Sequence, residues 1–281
     1  MSQKSYRNNK SSVYLIPTPI GNMEDITIRA INILKEVEVI FSEDTRITKQ
    51  LLKHFDINKK LIASHQHNES ENKLKMLKYL EDGYDVGIVT DRGTPIISDP
   101  GYELAYYAIE KDYNVIGLPG ATALIPALVM SGITPYPFLF YGFLNSKEQK
   151  RKKELEELKK NFATMIFYEA PHRIINTLEN MLEILGNRKI SIAREISKKF
   201  EEIYRGNIDE IIEQMVDAKG EFVIVVDGNK QGENYDNLTI IEHVNLFIKE
   251  GHDKKEAIRL TAKERNISKK EVYEEYHQIK K

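Results

Sequence analysis

Between Val13 and Gly142 the chain alternates short β-branched runs with stretches of helical period, and this pattern constrains the fold more than any other feature. VYLIPT, VEVIFSED, LIASH, DVGIVTD, NVIGLP and FLFYGF read as strands. Residues 27–35, 45–54, 69–82, 102–112 and 121–131 read as the helices between them. Such alternation builds βαβ units on a largely parallel sheet. IFS, GIVT and VIGL are apolar on both faces, as strands covered on both sides by helices must be. Asp99-Pro100 reads as an N-cap followed by a first-turn proline, and Gly120 sits between a strand and an apolar helix.

The pattern breaks at 145–161, NSKEQKRKKELEELKKN, which has no aromatic or β-branched residue and reads as a linker running into a charged helix. It then resumes with TMIFYEA, a helix from Pro171 to Leu185, KISIARE, FEEIYRG, a helix opened by the Asn207/Glu210 capping pair, and EFVIVVDG. GNKQGENYDN is polar and rich in Gly and Asn, and no strand pattern follows it. The expected organisation is a disordered tail at 1–12, an N-terminal α/β domain at 13–144, a C-terminal α/β domain at 145–228, a linker at 229–237 and a helical module at 238–281. That module reads as three helices: one ending near Gly251, one across 253–265, and one opened by the capping box Ser268/Glu271, resembling a helix-turn-helix. A length of 281 residues suits two domains.

Composition narrows the chemistry. With no Cys, a disulfide framework, a Cys-ligated metal and a thiol nucleophile are all excluded, and a reducing cytoplasm is the expected location. No apolar run approaches the roughly 20 residues of a membrane helix, and MSQKSYRNNK lacks the apolar core of a signal peptide. The 41 Lys and Arg nearly cancel the 43 Asp and Glu, so local patches rather than net charge must hold any RNA. Residues 147–160 carry seven Lys/Arg against four Glu, so if RNA is a partner Lys150, Arg151, Lys152 and Lys153 are its expected contact, against the plainer reading of a solvated helix face.

A doubly wound sheet binds ligands beyond the carboxyl ends of its strands. Three glycine turns fall there: PTPIGN (17–22), TDRGTP (90–95) and LPGATA (118–123). Each alone is an ordinary βα turn; together they suggest a cleft where backbone approaches a ligand closely. There is no G-x-G-x-x-G and no P-loop, so a nicotinamide dehydrogenase and a P-loop NTPase are poorly supported. SEDTR (42–46) and SHQHNE (64–69) end two other strands, and suit hydrogen bonding and acid–base work or simple helix capping. His65, His67 and Glu69 make a thin metal-ligand set, so no metal is expected.

The ordered series PTPIGN, EDTR, HNE, GTP-x-ISDPG, PGA, FLF-x-GF, FYE-x-PHR, ARE and FEE resembles the bacterial 16S rRNA 2'-O-ribose methyltransferase family, a branch of the tetrapyrrole methylases, over about 13–226. The resemblance implies two α/β domains with S-adenosylmethionine in the cleft between them, a homodimer, and methylation of a cytidine ribose (cytidine 1402 in family naming) in the decoding region of 16S rRNA. It assigns Ile20, Gly21, Asn22, Asp91, Gly93, Thr94, Pro95, Thr122, Ala123, Tyr168 and Glu169 to the cofactor. It offers Glu43, Arg46, His65, Asn68 and Glu69 for orienting the substrate hydroxyl and accepting its proton, and Arg173 and Arg194 for phosphates. The family usually has Ala where this chain has Arg92. Pointing inward, Arg92 would alter cofactor contacts or reach RNA phosphate; pointing outward, it would change little. Two rival functions remain open at this point, a tetrapyrrole C-methyltransferase of the same superfamily and a non-enzymatic RNA-binding or ribosome assembly factor.

Overall fold

The computed structural model describes residues 3–4, 8–65, 68–215, 219–229, 238–249, 251–265 and 267–278. His67 and most of the expected linker at 229–237 lie outside the described residues. The chain divides into two compact units, Met1–Gly228 and Asn229–Lys281.

The first unit holds two five-stranded sheets. In chain order the first comprises β1 (Ser12–Leu15), α1 (Ile28–Glu36), β2 (Val39–Ser42), α2 (Thr45–His54), β3 (Lys60–Ala63), α3 (Glu69–Glu81), β4 (Val86–Val89), α4 (Tyr102–Glu110) and β5 (Asn114–Gly117), followed by α5 (Leu124–Met130). Its strand order is β3-β2-β4-β1-β5, parallel throughout, with Val86 of β4 opposite Val13 on one side and Val39 on the other. Strands apolar on both faces require two covers. Ile16, Ile40 and Val89 pack with Leu34 of α1 and Leu52 of α2, while Val13, Phe41 and Ile88 pack with Met76 of α3 and Leu104 of α4.

The second sheet is mixed, with order β6-β7-β10-β8-β9 built from β6 (Phe138–Phe143), β7 (Thr164–Glu169), β8 (Lys189–Arg194), β9 (Glu202–Asn207) and β10 (Phe222–Val226). Only β6 and β7 are parallel. FLFYGF, expected as the sixth strand of the N-terminal domain ending at 144, therefore pairs in the second sheet instead. Its aromatic and apolar run marks a strand, and nothing local says which sheet will take it. One face of this sheet packs on α6 (Glu148–Leu158), α7 (Ile174–Leu185) and α8 (Ile208–Gln214), through Met165, Phe167, Ile192 and Ile224. The Asn207/Glu210 capping box opens α8. The other face, with Ile166, Ala193, Val223 and Val225, is covered by Ala127 and Leu128 of α5, a helix supplied by the first half.

Two local expectations change. Within the expected disordered tail, Gln3 bonds both the N–H and the C=O of Val115, Asn8 pairs with Asn114, and β1 already begins at Ser12. These amides satisfy the open edge of β5 much as a further strand residue would. Asp99-Pro100 does not cap α4. The helix starts at Tyr102 with Gly101 as N-cap at φ 116°, and the buried Glu69 carboxylate accepts from the Gly101 N–H.

The second unit contains α9 (Ile240–Lys249), α10 (Lys254–Glu264) and α11 (Lys269–Gln278) around Val244, Phe247, Ala257, Ile258, Ala262 and Val272. Asp253 caps α10 and Ser268 Oγ accepts from Glu271 N–H at 3.1 Å. His243, fully buried, accepts from Arg265 Nε at 3.0 Å. Ile248 is exposed.

Gly120 is a packing constraint: a Cβ there would lie 2.5 Å from Pro17 Cβ, on a ring that cannot rotate away. Gly120→Ala is expected to cost about 1–3 kcal/mol and lower Tm by several degrees. Gly117→Ala, where an added Cβ meets nothing within 4 Å, is expected to stay within about 0.5 kcal/mol of wild type. Equal melting temperatures for the two variants would contradict this packing.

Candidate functional site: a carboxylate-lined cleft

The chain leaves β1 toward β2 and β3, and leaves β4 toward β5, so the first sheet's switch point lies between β1 and β4. The loops leaving these two strands are joined by an isolated bridge, with Thr18 N–H donating to Gly93 O at 2.9 Å and Gly93 N–H to Thr18 O at 3.0 Å. Thr94 Oγ1 donates to Ala121 O at 3.0 Å, which adds the loop after β5. All three glycine turns thus meet at one edge. Gly93 sits at φ 85°, so any side chain here strains the backbone before it meets a ligand.

A cavity of about 300 Å³ opens at this edge, against the second sheet. From the first half it is lined by Ile20, Gly93, Thr94, Asp99, Thr122 and Ala123. Tyr168, Glu169, Phe222 and Val223 are among its walls from the second half. A second cavity of about 400 Å³ shares Ile20 and Arg92 with it and reaches Gly21, Thr48, Asp91 and Lys198. Of the residues expected at the cofactor, Ile20, Gly93, Thr94, Thr122, Ala123, Tyr168 and Glu169 line the first cavity, while Gly21 and Asp91 line the second. Asn22 and Pro95 line neither. Asn22 caps a 3₁₀ turn through Glu24 N–H at 3.1 Å, its own N–H donates to Ser197 Oγ at 3.2 Å, and Pro95 is buried.

Carboxylates cluster at this edge, with Asp99 in the lining of the first cavity and Asp91 in that of the second. Glu43 Oε2 accepts from Thr90 Oγ1 at 2.6 Å and from Asp91 N–H at 3.3 Å, and Asp91 Oδ1 accepts from Asp44 N–H at 3.0 Å. Burial, with Glu43 and Asp44 close by, raises the Asp91 carboxyl above its ordinary range. Asp99 is pushed up to about 6, first by burial and then by the charge of Glu43, against a hydrogen bond from Thr90. Arg46 instead holds Asp44 down to about 2. The segment presenting Asp99 is strained: Ile96 and Ser98 have φ of 77° and 68°, conformations that cost about 1–3 kcal/mol each. Burial also raises the Tyr168 phenol, which therefore remains a hydrogen-bond donor beside Thr122.

The five residues expected to handle the substrate hydroxyl separate. Glu43 lies in the carboxylate group just described. Arg46 is 86% exposed and paired to Asp44. Asn68 Oδ1 accepts from His65 N–H at 2.8 Å, and Asn68 Nδ2 donates to Ala63 O at 3.0 Å, so these two tie the loop to β3. Glu69 is consumed by the Gly101 N–H. Asp99, which the sequence pattern presents as a helix cap, takes their place at the cavity wall.

The phosphate assignments need correction. Arg151 is 3% exposed, with Nε donating to Asn180 Oδ1 at 2.8 Å, because α6 packs on α7 through the face that carries Arg151 and Leu155. Lys152 lies between Glu148 at 3.2 Å and Glu183 at 2.8 Å, leaving Lys150 and Lys153 exposed. Arg173 is buried against Glu169 and donates to Leu144 O at 3.0 Å. Glu169 also accepts from Thr177 Oγ1 at 2.6 Å, so its carboxylate is spoken for although the residue lines the cavity. Arg194 pairs with Glu202 at 3.2 Å and lies over Phe222, behind the cavity wall.

Arg92 points across the cleft to Glu221, which also pairs with Lys198 at 3.0 Å; Lys198 in turn pairs with Glu195 at 2.9 Å. The pair is half-exposed and contributes roughly 0–1 kcal/mol. Its effect is to fix where the two halves meet, at the rim shared by both cavities.

Residues 12–212 match the tetrapyrrole (corrin/porphyrin) methylase family. Curated relatives named "Ribosomal RNA small subunit methyltransferase I" include one from Bacillus subtilis (strain 168), 46% identical over 96% of both chains, and one from Halalkalibacterium halodurans, 44% identical over 99% of both. Among solved structures, the methyltransferase CobJ aligns with a TM-score of 0.59 at 18% identity, covering 78% of this chain and 95% of that one. Uroporphyrin-III-C-methyltransferase from Thermus thermophilus aligns at 0.56 and 16% identity, covering 78% and 94%. The two solved structures speak for the fold, and the family match with the near-full-length relatives speaks for descent: the chain belongs to the tetrapyrrole methylase family.

Proposed function

We propose that this chain is an S-adenosylmethionine-dependent methyltransferase acting on a ribose 2'-hydroxyl of small-subunit ribosomal RNA, at the decoding-region cytidine 1402. The observation that carries the reading is the 46% identity, across 96% of both chains, to a relative named for that RNA. The solved tetrapyrrole methyltransferases share under a fifth of their residues, so they support the architecture without the substrate.

The cavity fits the cofactor. Its walls alternate apolar side chains, Ile20, Ile97, Phe143 and Val223, with backbone and hydroxyl groups at Gly93, Thr94 and Thr122, the mixture a nucleoside requires. A carboxyl raised to about 6 beside two further carboxylates is negative charge lacking a cation, and a sulfonium with an ammonium supplies one. When bound, S-adenosylmethionine supplies an electrophilic methyl on a leaving group that departs neutral. The chain's residues do the rest. Ile20, Ile97 and Phe143 exclude water, Tyr168 and Thr122 donate and accept hydrogen bonds, and the clamp between Thr18 and Gly93 holds the cavity floor rigid. Such positioning is worth on the order of 7–11 kcal/mol in group transfers of this kind. Asp99 receives the hydroxyl proton. Its raised carboxyl brings it nearer the working pH than an ordinary Asp, and Glu43 and Asp91 keep it there. The same reading takes the chain to act as a homodimer in the cytoplasm, with exposed apolar side chains such as Val129, Tyr136 and Phe162 covered by the self-contact.

Deleting the gene and mapping ribose methylation of small-subunit rRNA by mass spectrometry should reveal one missing methyl, restored by the wild-type chain; an unchanged map would refute the reading. Asp99→Asn should lower the turnover number about 100-fold or more while cofactor affinity changes less than about tenfold. The wild-type turnover number should rise with pH through about 6, and that rise should vanish in the variant. A profile unaltered by the substitution would remove Asp99 from proton transfer. Stability supplies a separate check. Because the folded-state pKa of Asp99 lies above its unfolded value of about 3.8, its ionisation opposes folding as pH rises through about 6. Asp99→Asn should therefore raise Tm at pH 8 and lose that gain as pH falls toward 4.

A further inference from the structure

With Arg151 buried and Lys152 paired within its own helices, the charged helix α6 retains few groups for a phosphate backbone. A different surface carries the chemistry. Along the outer side of α2 runs a depression of about 810 Å³, bounded by that helix and the segment from Asp56 to Leu61. Arg46, Lys49 and Lys53 recur at positions i, i+3 and i+7, so they share one face of α2, and Lys59 joins them from the approach to β3. The floor is apolar, formed by Leu52, Ile57 and Leu61, and Asp56 is the one acidic residue among those that line it. Arg46 is held by Asp44, which leaves Lys49, Lys53 and Lys59 against Asp56, a local excess in a chain of net charge −2.

The position of this groove supplies the second argument. Its first residues, Thr45 and Arg46, directly follow Glu43 and Asp44, which bond to Asp91 in the cleft. The groove therefore begins where the carboxylate group ends. Negative charge at the reaction centre repels phosphates, so a strand entering the cleft needs compensating cations on its flank, and α2 presents them on the side away from the carboxylates.

We propose that the outer groove of α2, with Lys49, Lys53 and Lys59, is the track for the sugar-phosphate backbone of the RNA strand whose nucleotide enters the cleft. This rests on the RNA reading given above. Each phosphate contact adds about 0.7–0.9 to the salt slope, so removing three should reduce the slope of log affinity against log salt by about two to three. The test uses the full chain, a fluorescein-labelled transcript of the 16S decoding region for equilibrium binding, and unmethylated small subunits from the deletion strain for methyl transfer. Lys49→Glu/Lys53→Glu/Lys59→Glu should weaken transcript binding at least tenfold, lower the salt slope, and raise KM for subunits, with the turnover number and cofactor affinity unchanged. The milder Lys→Gln triple should move the same readouts in the same direction, which separates charge from misfolding. Lys78→Glu/Lys111→Glu, a charge-reversing pair on the α3 and α4 layer covering the opposite face of the first sheet, should move none of them. An unchanged salt slope in the groove variants, or an equal shift in the control, overturns the proposal. Failure of the wild-type chain to methylate subunits would instead count against the RNA reading, while transcript binding would still decide the groove.

Discussion

The second sheet cannot close its core alone. Its face bearing Ile166, Ala193, Val223 and Val225 is covered, among the described residues, by Ala127 and Leu128 of α5, with Ile20 and Leu124 packed alongside. Ile166, Val223 and Val225 on that face, each worth about 1.5–3 kcal/mol on burial, hold the halves together far more firmly than the half-exposed Arg92–Glu221 pair. α5 follows the loop after β5, so this contact also draws that loop and the neighbouring glycine turns against the second sheet. The cavity is what remains between the rim of that contact and the strand ends. Site and core are therefore built by the same packing.

This explains the strain around the cleft. Ile96 and Ser98 on one side, and Glu195 and Ser197 on the other, are non-glycine residues with positive φ. Loops free to relax would not keep them. Here they are held by the Thr18–Gly93 bridge, the Glu69 carboxylate on Gly101 N–H, and the Glu195–Lys198–Glu221 ion pairs. The cost is met by packing elsewhere, and the return is Asp99 fixed in a wall where burial raises its carboxyl.

Much of this was legible in the residues. The short β-branched runs and glycine turns pointed to the five parallel strands and the edge where ligand loops gather, because sheet polarity puts every βα loop at one end. What escaped were decisions made by tertiary contact. FLFYGF carries no mark of the sheet it joins. Arg151 sits in a run of four basic residues, yet its helix phase aligns it with Leu155, and only the partner helix α7 decides that this face is buried. Asp99-Pro100 has the chemistry of an N-cap, but Gly101 and Glu69 provide the cap and release Asp99 to the cavity.

The same logic separates the basic residues into two kinds. Arg173, Arg194 and Arg151 are guanidinium groups that satisfy buried or partly buried acceptors, a task suited to their fixed fork of donors. Lys49 and Lys53 are exposed on α2, a helix anchored by the buried Leu51 and Leu52, where a flexible ammonium loses nothing by staying hydrated until a phosphate arrives. Composition counts the two kinds together, which is why the charge-rich helix α6 drew attention from the sequence and α2 did not. Burial separates them, and it leaves Lys49 and Lys53 exposed on the helix that follows Glu43 and Asp44 in the chain.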